Sequence, residues 1–283
     1  MPRALFVHCL MKYFLVLLSY LCSICLPAIS LIPMQDLISK FPDEVLSLIV
    51  SRLPLQEAVR TSIFSKRWRH VWTLVLKLEF DAVNLGRRAS GFCNLIHHNQ
   101  DKFVELVNQV LQLHQSRTIE SFKLHCQLGP EHSSQIDKWL QIAVNRTLQN
   151  LDINMSFSYE PHSTPNQNCS NIPHWIFDGR LLSLKRLSLA HCCLEVPPIA
   201  ICFSSLASLT LASTRLSQDN VNIILSHCPN LQNMSLLGCI CPSHLELASQ
   251  NQFLPLKHLV IVNCEYLTAL SIFDAVGLLY LNA

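Results

Sequence analysis

The chain has 283 residues, 50% of them apolar and 14% charged, which supplies enough hydrophobic material for a folded protein and argues against disorder. A formal net charge of +2 sets up no acidic or basic field that would name a partner. Its 6 glycines are scattered as Gly86, Gly91, Gly129, Gly179, Gly238 and Gly277, so no glycine-rich loop can cradle phosphates, which argues against a nucleotide-dependent enzyme.

The chain opens on Arg3 and Lys12 followed by YFLVLLSYLCSICLPAISLIPM. From Tyr13 to Leu26 no charge occurs, a length that suits a signal-peptide core; carried on to Met34, the run is long enough to span a bilayer. Residues 1–35 are therefore read as a hydrophobic extension: a signal, an anchor or an extraneous segment. Before Asp36 there is no polar face to show to water, so this stretch is expected to lie outside the globular fold. Four formal glycosylation triplets, at Asn145, Asn154, Asn168 and Asn233, add little, because such triplets arise by chance in Asn- and Ser-rich chains.

Residues 41–72, FPDEVLSLIVSRLPLQEAVRTSIFSKRWRHVW, read as three short amphipathic helices. Pro42 suits a first helical position, and Asp43 and Glu44 follow where the helix dipole favours acids. Val45, Leu46, Ile49 and Leu53 recur at helical spacing before Pro54 closes the helix. Ala58, Val59 and Ser62 line a second helix, and Ser65 begins a third that ends in Trp72. So much apolar surface on so short a segment needs another protein surface to cover it. The segment resembles an F-box, whose closing Ser-Lys-Arg-Trp-x-x-x-Trp is matched by Ser65, Lys66, Arg67, Trp68 and Trp72, with Phe41 and Phe64 as apolar replacements at two positions.

That resemblance implies docking on the Skp-type adaptor of a cullin-based ubiquitin ligase through Phe41, Pro42, Leu46, Ile49, Leu53, Pro54 and Val59. Leu46 and Ile49 serve equally well as the module's own core, and Trp68 is expected to pack between helices. Lys66, Arg67, Arg69 and His70 read as a solvated helix face, and no nucleic-acid partner is expected. An F-box in the secretory lumen could not meet its adaptor. The compartment implied is the cytoplasm or nucleus, or a membrane anchor that leaves the F-box cytosolic.

Residues 76–82 alternate like a strand, and Asp101 to His114 carries apolar residues at helical spacing. From about residue 119 a repeat takes over. Leu184, Leu187, Leu189, Cys192 and Leu194 fit L-x-x-L-x-L-x-x-C-x-L, the leucine-rich repeat. Further copies are Leu206, Leu209, Leu211, Thr214 and Leu216; Leu231, Met234, Leu236, Cys239 and Cys241; and Leu256, Leu259, Ile261 and Cys264. Their starts are 22, 25 and 25 residues apart. Looser copies lie upstream at Leu148, Leu151 and Ile153 and at Ile119, Phe122 and Leu124. Returning helices are expected over 134–144, with a capping-box-like start at Ser134, and over 218–228, capped by Ser217. Residues 158–174 form a polar loop, and Leu278 onward looks like a new strand, so the repeat array is read as incomplete at its C-terminal end.

The order of these parts resembles plant F-box/leucine-rich-repeat proteins. The implied fold is α/β: a three-helix F-box over 36–75, a linking strand and helix over 76–118, and a solenoid over 119–283 with parallel strands on its concave face. In each strand alternate residues point out, which selects Ser188, Thr210, Ser235 and Val260 as substrate-facing positions on a polar, weakly charged face. The 13 cysteines show no zinc-finger spacing. Cys192, Cys239 and Cys264 occupy one repeat position and are expected to be buried, reduced thiols.

No nucleophile elbow, HExxH helix or close carboxylate pair in a strand-loop setting occurs, so neither catalysis, cofactor nor metal is expected. The resemblance implies a substrate-recognition subunit with an unidentified protein substrate. The alternatives are a non-catalytic interaction scaffold and a membrane-anchored repeat receptor.

Overall fold

The computed structural model describes residues 41–53, 55–63, 66–82, 100–126, 128, 130–156, 170–177, 181–194, 203–248, 254–275 and 277–282. Asp43–Ala283 form one compact unit; of the other, Met1–Pro42, only Phe41 and Pro42 are described. The apolar N-terminal extension, Pro54, Phe64, Ser65 and most of residues 158–174, expected as a polar loop, lie outside the described residues.

Helix α1 spans Asp43–Val50, with both acids in its first turn and Leu46 and Val50 buried one turn apart. Helix α2, Leu55–Arg60, runs into a 3-10 turn, Thr61–Ile63. Helix α3 is only Trp68–Val71 and tightens into a second 3-10 turn, Trp72–Leu74. The third helix expected from Ser65 is thus shorter, because its chain must turn at once into strand β1, Lys77–Asp81. Trp68 and Trp72 are both buried. Of the basic run, Arg67 is tied by its Nε to Asp43 Oδ1 at 2.7 Å, joining the first and last helices of the module.

Helix α4, Gln100–Leu113, buries Phe103, Val107 and Leu111 at i, i+4 and i+8. Helix α5, Ser133–Val144, packs beside it, with Trp139 edge-on to Phe103 and its Nε1 donating to Asn108 Oδ1 at 2.7 Å. The capping-box start expected at Ser134 is not formed. A 3-10 turn, Pro130–His132, leads straight into the helix, so the residue before it, His132, is not extended and gives no side-chain cap. In helix α6, Gln218–His227, the expected cap is present: Ser217 Oγ accepts from the Asn220 N–H at 3.1 Å.

The strands build one eight-stranded parallel sheet in the order β1, β2 (Ser121–His125), β3 (Asn150–Asn154), β5 (Arg186–Ala190), β7 (Ser208–Ala212), β8 (Asn233–Leu237), β10 (His258–Val262) and β12 (Tyr280–Asn282). Each of these strands pairs with the next one in chain order, which is the arrangement of a solenoid. Two small parallel pairs form on the returning segments: β4 (Ser170–Asn171) with β6 (Cys192–Cys193), and β9 (His244–Leu247) with β11 (Ala269–Ile272).

The repeat leucines fill the core. Leu184, Leu187, Leu189, Leu206, Leu209, Leu211, Leu231, Met234, Leu236, Leu256, Leu259 and Ile261 are all buried, as are Ile119, Phe122, Leu124, Leu148, Leu151 and Ile153 upstream. Strand β1 is in register with β2, Leu78 beside Phe122 and Phe80 beside Leu124, so the strand after the N-terminal helical module is the first of the repeat sheet.

Where each strand ends, the chain turns the same way. His191, Ser213, Gly238 and Asn263, the residues after β5, β7, β8 and β10, all have positive φ, between 46° and 58°. Only one is glycine, although this backbone region disfavours a side chain. In three of the four a hydrogen bond offsets this: His191, Ser213 and Gly238 donate their N–H to the last carbonyl of the next strand, Ala212, Leu237 and Val262, at 2.8–3.0 Å. The next position holds Cys192, Thr214, Cys239 and Cys264. The Cys239 thiol donates to the Leu211 carbonyl at 3.3 Å and the Cys264 thiol to Leu236 at 3.7 Å, each reaching the preceding strand.

His114 locks the end of the helical module to the repeats. Its buried ring donates from Nε2 to the Val75 carbonyl at 2.8 Å and accepts at Nδ1 from Arg146 at 2.5 Å. Burial, then the Arg146 charge, lowers its pKa against the opposing Val75 hydrogen bond. A histidine held neutral in the native state favours the fold fully above its unfolded pKa of about 6.5; that support is lost as pH falls below it. His191, lowered by burial, adds in the same direction. Thermal melts of the wild-type chain are therefore expected to drop between pH 7.5 and 5, and His114→Gln should show a shallower drop.

Candidate protein-interaction surfaces

Helix α1 carries two apolar stripes. Leu46 and Val50 face inward and are fully buried, while Val45 and Ile49 are half-buried and Leu48 is 56% exposed. Val45, Leu48 and Ile49 stand at i, i+3 and i+4, so they share one face that the module's own core leaves uncovered. Of the expected adaptor contacts, Pro42 is exposed, and Phe41, Ile49, Leu53 and Val59 are half-buried. Leu46, at 0% exposure, belongs to the core and drops out of the accessible set. Pro54 lies outside the described residues. Leu48 was missed, although the sequence held the signal: an apolar residue two positions from a core leucine falls on the opposite side of a helix.

On the sheet, Ser188, Thr210, Ser235 and Val260 stand side by side in register and are half-buried between buried leucines. The row continues through Asp152, Lys123 and Glu79 on one side and Asn282 on the other. Two rows flank it: Lys77, Ser121, Asn150, Arg186, Ser208, Asn233, His258 and Tyr280 on the entry side, and Asp81, His125, Asn154, Ala190, Ala212, Leu237 and Val262 on the exit side.

The face is therefore less uniform than expected. Its first four strands carry charge, while the later ones offer Ser208, Thr210, Ala212, Ser235, Leu237, Val260 and Val262. The charged part went unrecognised because β1, β2 and β3 are separated in sequence by helices and lack the full repeat spelling.

His125 is the hub of that charged part. Its Nε2 lies 3.0 Å from Asp152 Oδ2, and its Nδ1 lies 3.9 Å from Asp81 Oδ2, linking three successive strands. Burial alone would raise the Asp152 carboxyl, but contact with His125, the Ser188 hydroxyl and Lys123 outweighs it and holds the group below the ordinary aspartate range. Its contribution to stability is thus present at neutral pH and is lost as pH falls through that lowered value.

The thiols divide by position. Cys192 and Cys239 are buried, and burial pushes Cys192 up to about 12. Cys264 is half-buried, contrary to expectation. The reason is that β12 pairs with only the first three residues of β10, so among the described residues Ile261 onward has β8 on one side and no strand on the other. Under native conditions an alkylating reagent is expected to label Cys264 well before Cys192 or Cys239, which peptide mapping over time would check. Among the described residues no group of side chains could hold a metal ion, and no helix is long and apolar enough to cross a membrane.

Comparison with known families agrees with this architecture. An F-box domain model matches residues 38–79, and a model of the At1g61320/AtMIF1 leucine-rich-repeat domain matches residues 110–280, more than half of the chain. The chain belongs to the F-box/leucine-rich-repeat family.

Its relatives include three family members from Arabidopsis thaliana. F-box/LRR-repeat protein At3g03360 is 28% identical over 233 residues, covering 78% of this chain and 42% of the relative. F-box/FBD/LRR-repeat protein At5g56420 is 29% identical over 210 residues, covering 72% and 44%. F-box/LRR-repeat protein 25 is 30% identical over 215 residues, covering 76% and 72%. The chain thus spans less than half the length of the first two.

Proposed function

We propose that this family member is a non-catalytic substrate receptor of a cullin-based ubiquitin ligase. The module over 36–75 holds a Skp-type adaptor, and through it a cullin, while the repeat sheet holds a protein whose lysines a separate conjugating enzyme modifies. The observation that carries the reading is the uncovered Val45–Leu48–Ile49 face on a module whose own core is already filled by Leu46 and Val50. Phe41, Pro42, Leu53, Pro54 and Val59 would extend that contact. Work of this kind belongs in the cytoplasm or nucleus, where the adaptor is found.

The sheet would receive its substrate across the Ser188–Thr210–Ser235–Val260 row, whose small side chains allow a partner's backbone to approach closely. Rate enhancement then comes from proximity alone, since binding both proteins converts an encounter into a unimolecular step. The test is reconstitution: the full chain, a Skp-type adaptor, a cullin and a conjugating system. A photo-crosslinker at Thr210 or Ser235 should capture a protein that becomes ubiquitinated only when the receptor is present. Adaptor binding without ubiquitin transfer to any captured protein would reduce the role to that of a scaffold.

A further inference from the structure

Three thiols meet at the last full turns of the solenoid. The register between β8 and β10 pairs Leu237 with Val262 and resumes at the bridge between Ile240 and Glu265, which places Cys239 beside Cys264. Register neighbours on adjacent strands are about 4.8 Å apart, within the span that a disulfide bridges. Both side chains leave the backbone in the same direction, each donating to the preceding strand's carbonyl, at Leu211 and Leu236 respectively. Glu265, next to Cys264, donates its N–H to the Cys239 carbonyl at 2.8 Å and accepts from the Cys241 N–H at 3.1 Å, so the backbone holds the three cysteines together. Cys239 and Cys241 are buried, while Cys264 is half-open to solvent.

We propose that Cys239 and Cys264 form a peroxide-responsive site, at which hydrogen peroxide converts the two thiols into an intrachain disulfide joining successive repeats. This goes beyond the receptor role and is independent of it. Cys264 reacts first because it is the one of the three that solvent reaches. Cys264 keeps its proton at rest, since the lowering hydrogen bond to Cys239 is outweighed by Cys241 and burial, which raise its pKa; Cys241, whose pKa Cys264 lowers despite burial, is the base that takes the proton as the Cys264 sulfur reacts.

As its proton passes to Cys241, the Cys264 sulfur attacks one peroxide oxygen and the O–O bond breaks, leaving a sulfenic acid and a hydroxide that takes the proton back as one water. The Cys239 sulfur then attacks the Cys264 sulfur. The S–O bond breaks, the S–S bond forms, and the Cys239 proton leaves with the hydroxyl as a second water. Two thiols give up two electrons and two protons, and one peroxide becomes two waters.

The test uses the full chain, oxidised with hydrogen peroxide, blocked with an alkylating reagent and digested with trypsin. Arg215 and Lys257 bound the relevant peptides: Leu216–Lys257 holds Cys228, Cys239 and Cys241, and His258–Ala283 holds Cys264 alone. A linked pair two hydrogens lighter than their sum is expected, separated by dithiothreitol, with fragment ions placing the bond at Cys239. Cys241→Ser should slow the linkage several-fold and keep its position. A bond mapped to Cys241 or Cys228 would overturn the proposal. So would Cys264 oxidised to sulfinic acid without a link, which needs no variant to fold.

Discussion

A chain carrying Leu48→Glu and Ile49→Glu is expected to keep its fold and to lose co-purification with a Skp-type adaptor, with affinity down at least a hundredfold. Leu48 is 56% exposed and Ile49 half-buried, so charges at these positions are solvated in the free chain. In a complex they would be trapped against apolar surface without partners, at a cost of several kcal/mol. Leu46 behaves differently. It is completely buried, and Leu46→Glu is expected to unfold the module, so lost binding in that variant would say nothing about the interface. Thermal unfolding separates the two outcomes. A double variant that melts like the wild type and still binds the adaptor would remove this face from the contact.

Phe122→Ala is expected to cost about 3–5 kcal/mol, a large part of the stability of an ordinary domain. Phe122 has no exposed surface, its ring centroid is 5.7 Å from that of Phe80, and it sits in register between Leu78 and Leu151. The lost ring leaves a cavity at the join between the strand that follows the F-box and the rest of the sheet. In a solenoid each repeat contacts only its neighbours, so a defect there weakens coupling along the array. Urea unfolding should show a lower midpoint and a broadened or split transition. Ser235→Ala, on the same sheet but facing out, should stay within about 0.5 kcal/mol of the wild type. A Phe122→Ala chain with an unchanged midpoint would contradict the register.

Much of this was legible because two periodicities are spelled in short range. The spacing Leu184, Leu187, Leu189 fixes which side chains point inward along one strand, and repetition every 22 to 25 residues forces those strands to stack. The helix that Ser217 caps could be read for the same reason, since a capping hydroxyl acts within one turn. Ser134 misled, because its role depended on the 3-10 turn before it, and turns of that kind follow from packing rather than from a local pattern.

The candidate surfaces were half legible. The row Ser188, Thr210, Ser235 and Val260 follows from alternation alone. Asp81, His125 and Asp152 could not be placed together, because they lie far apart in sequence and only the pairing of β1, β2 and β3 brings them into contact. Cys264 was assigned to the buried set by its repeat position, and the short β12 overrode that.

By itself the sequence determined the class of the protein: an F-box, then parallel strands whose leucines must share one core. Local spacing is enough for this, since no single repeat can bury its own apolar edge. Only the tertiary structure decided which residues remain available. Leu46 and Leu48 are chemically identical and two positions apart, and helix geometry sends one into the core and the other into solvent. The Asp81–His125–Asp152 cluster and the paired thiols exist as sites only across strands, where register, and not neighbourhood in the chain, sets the distance.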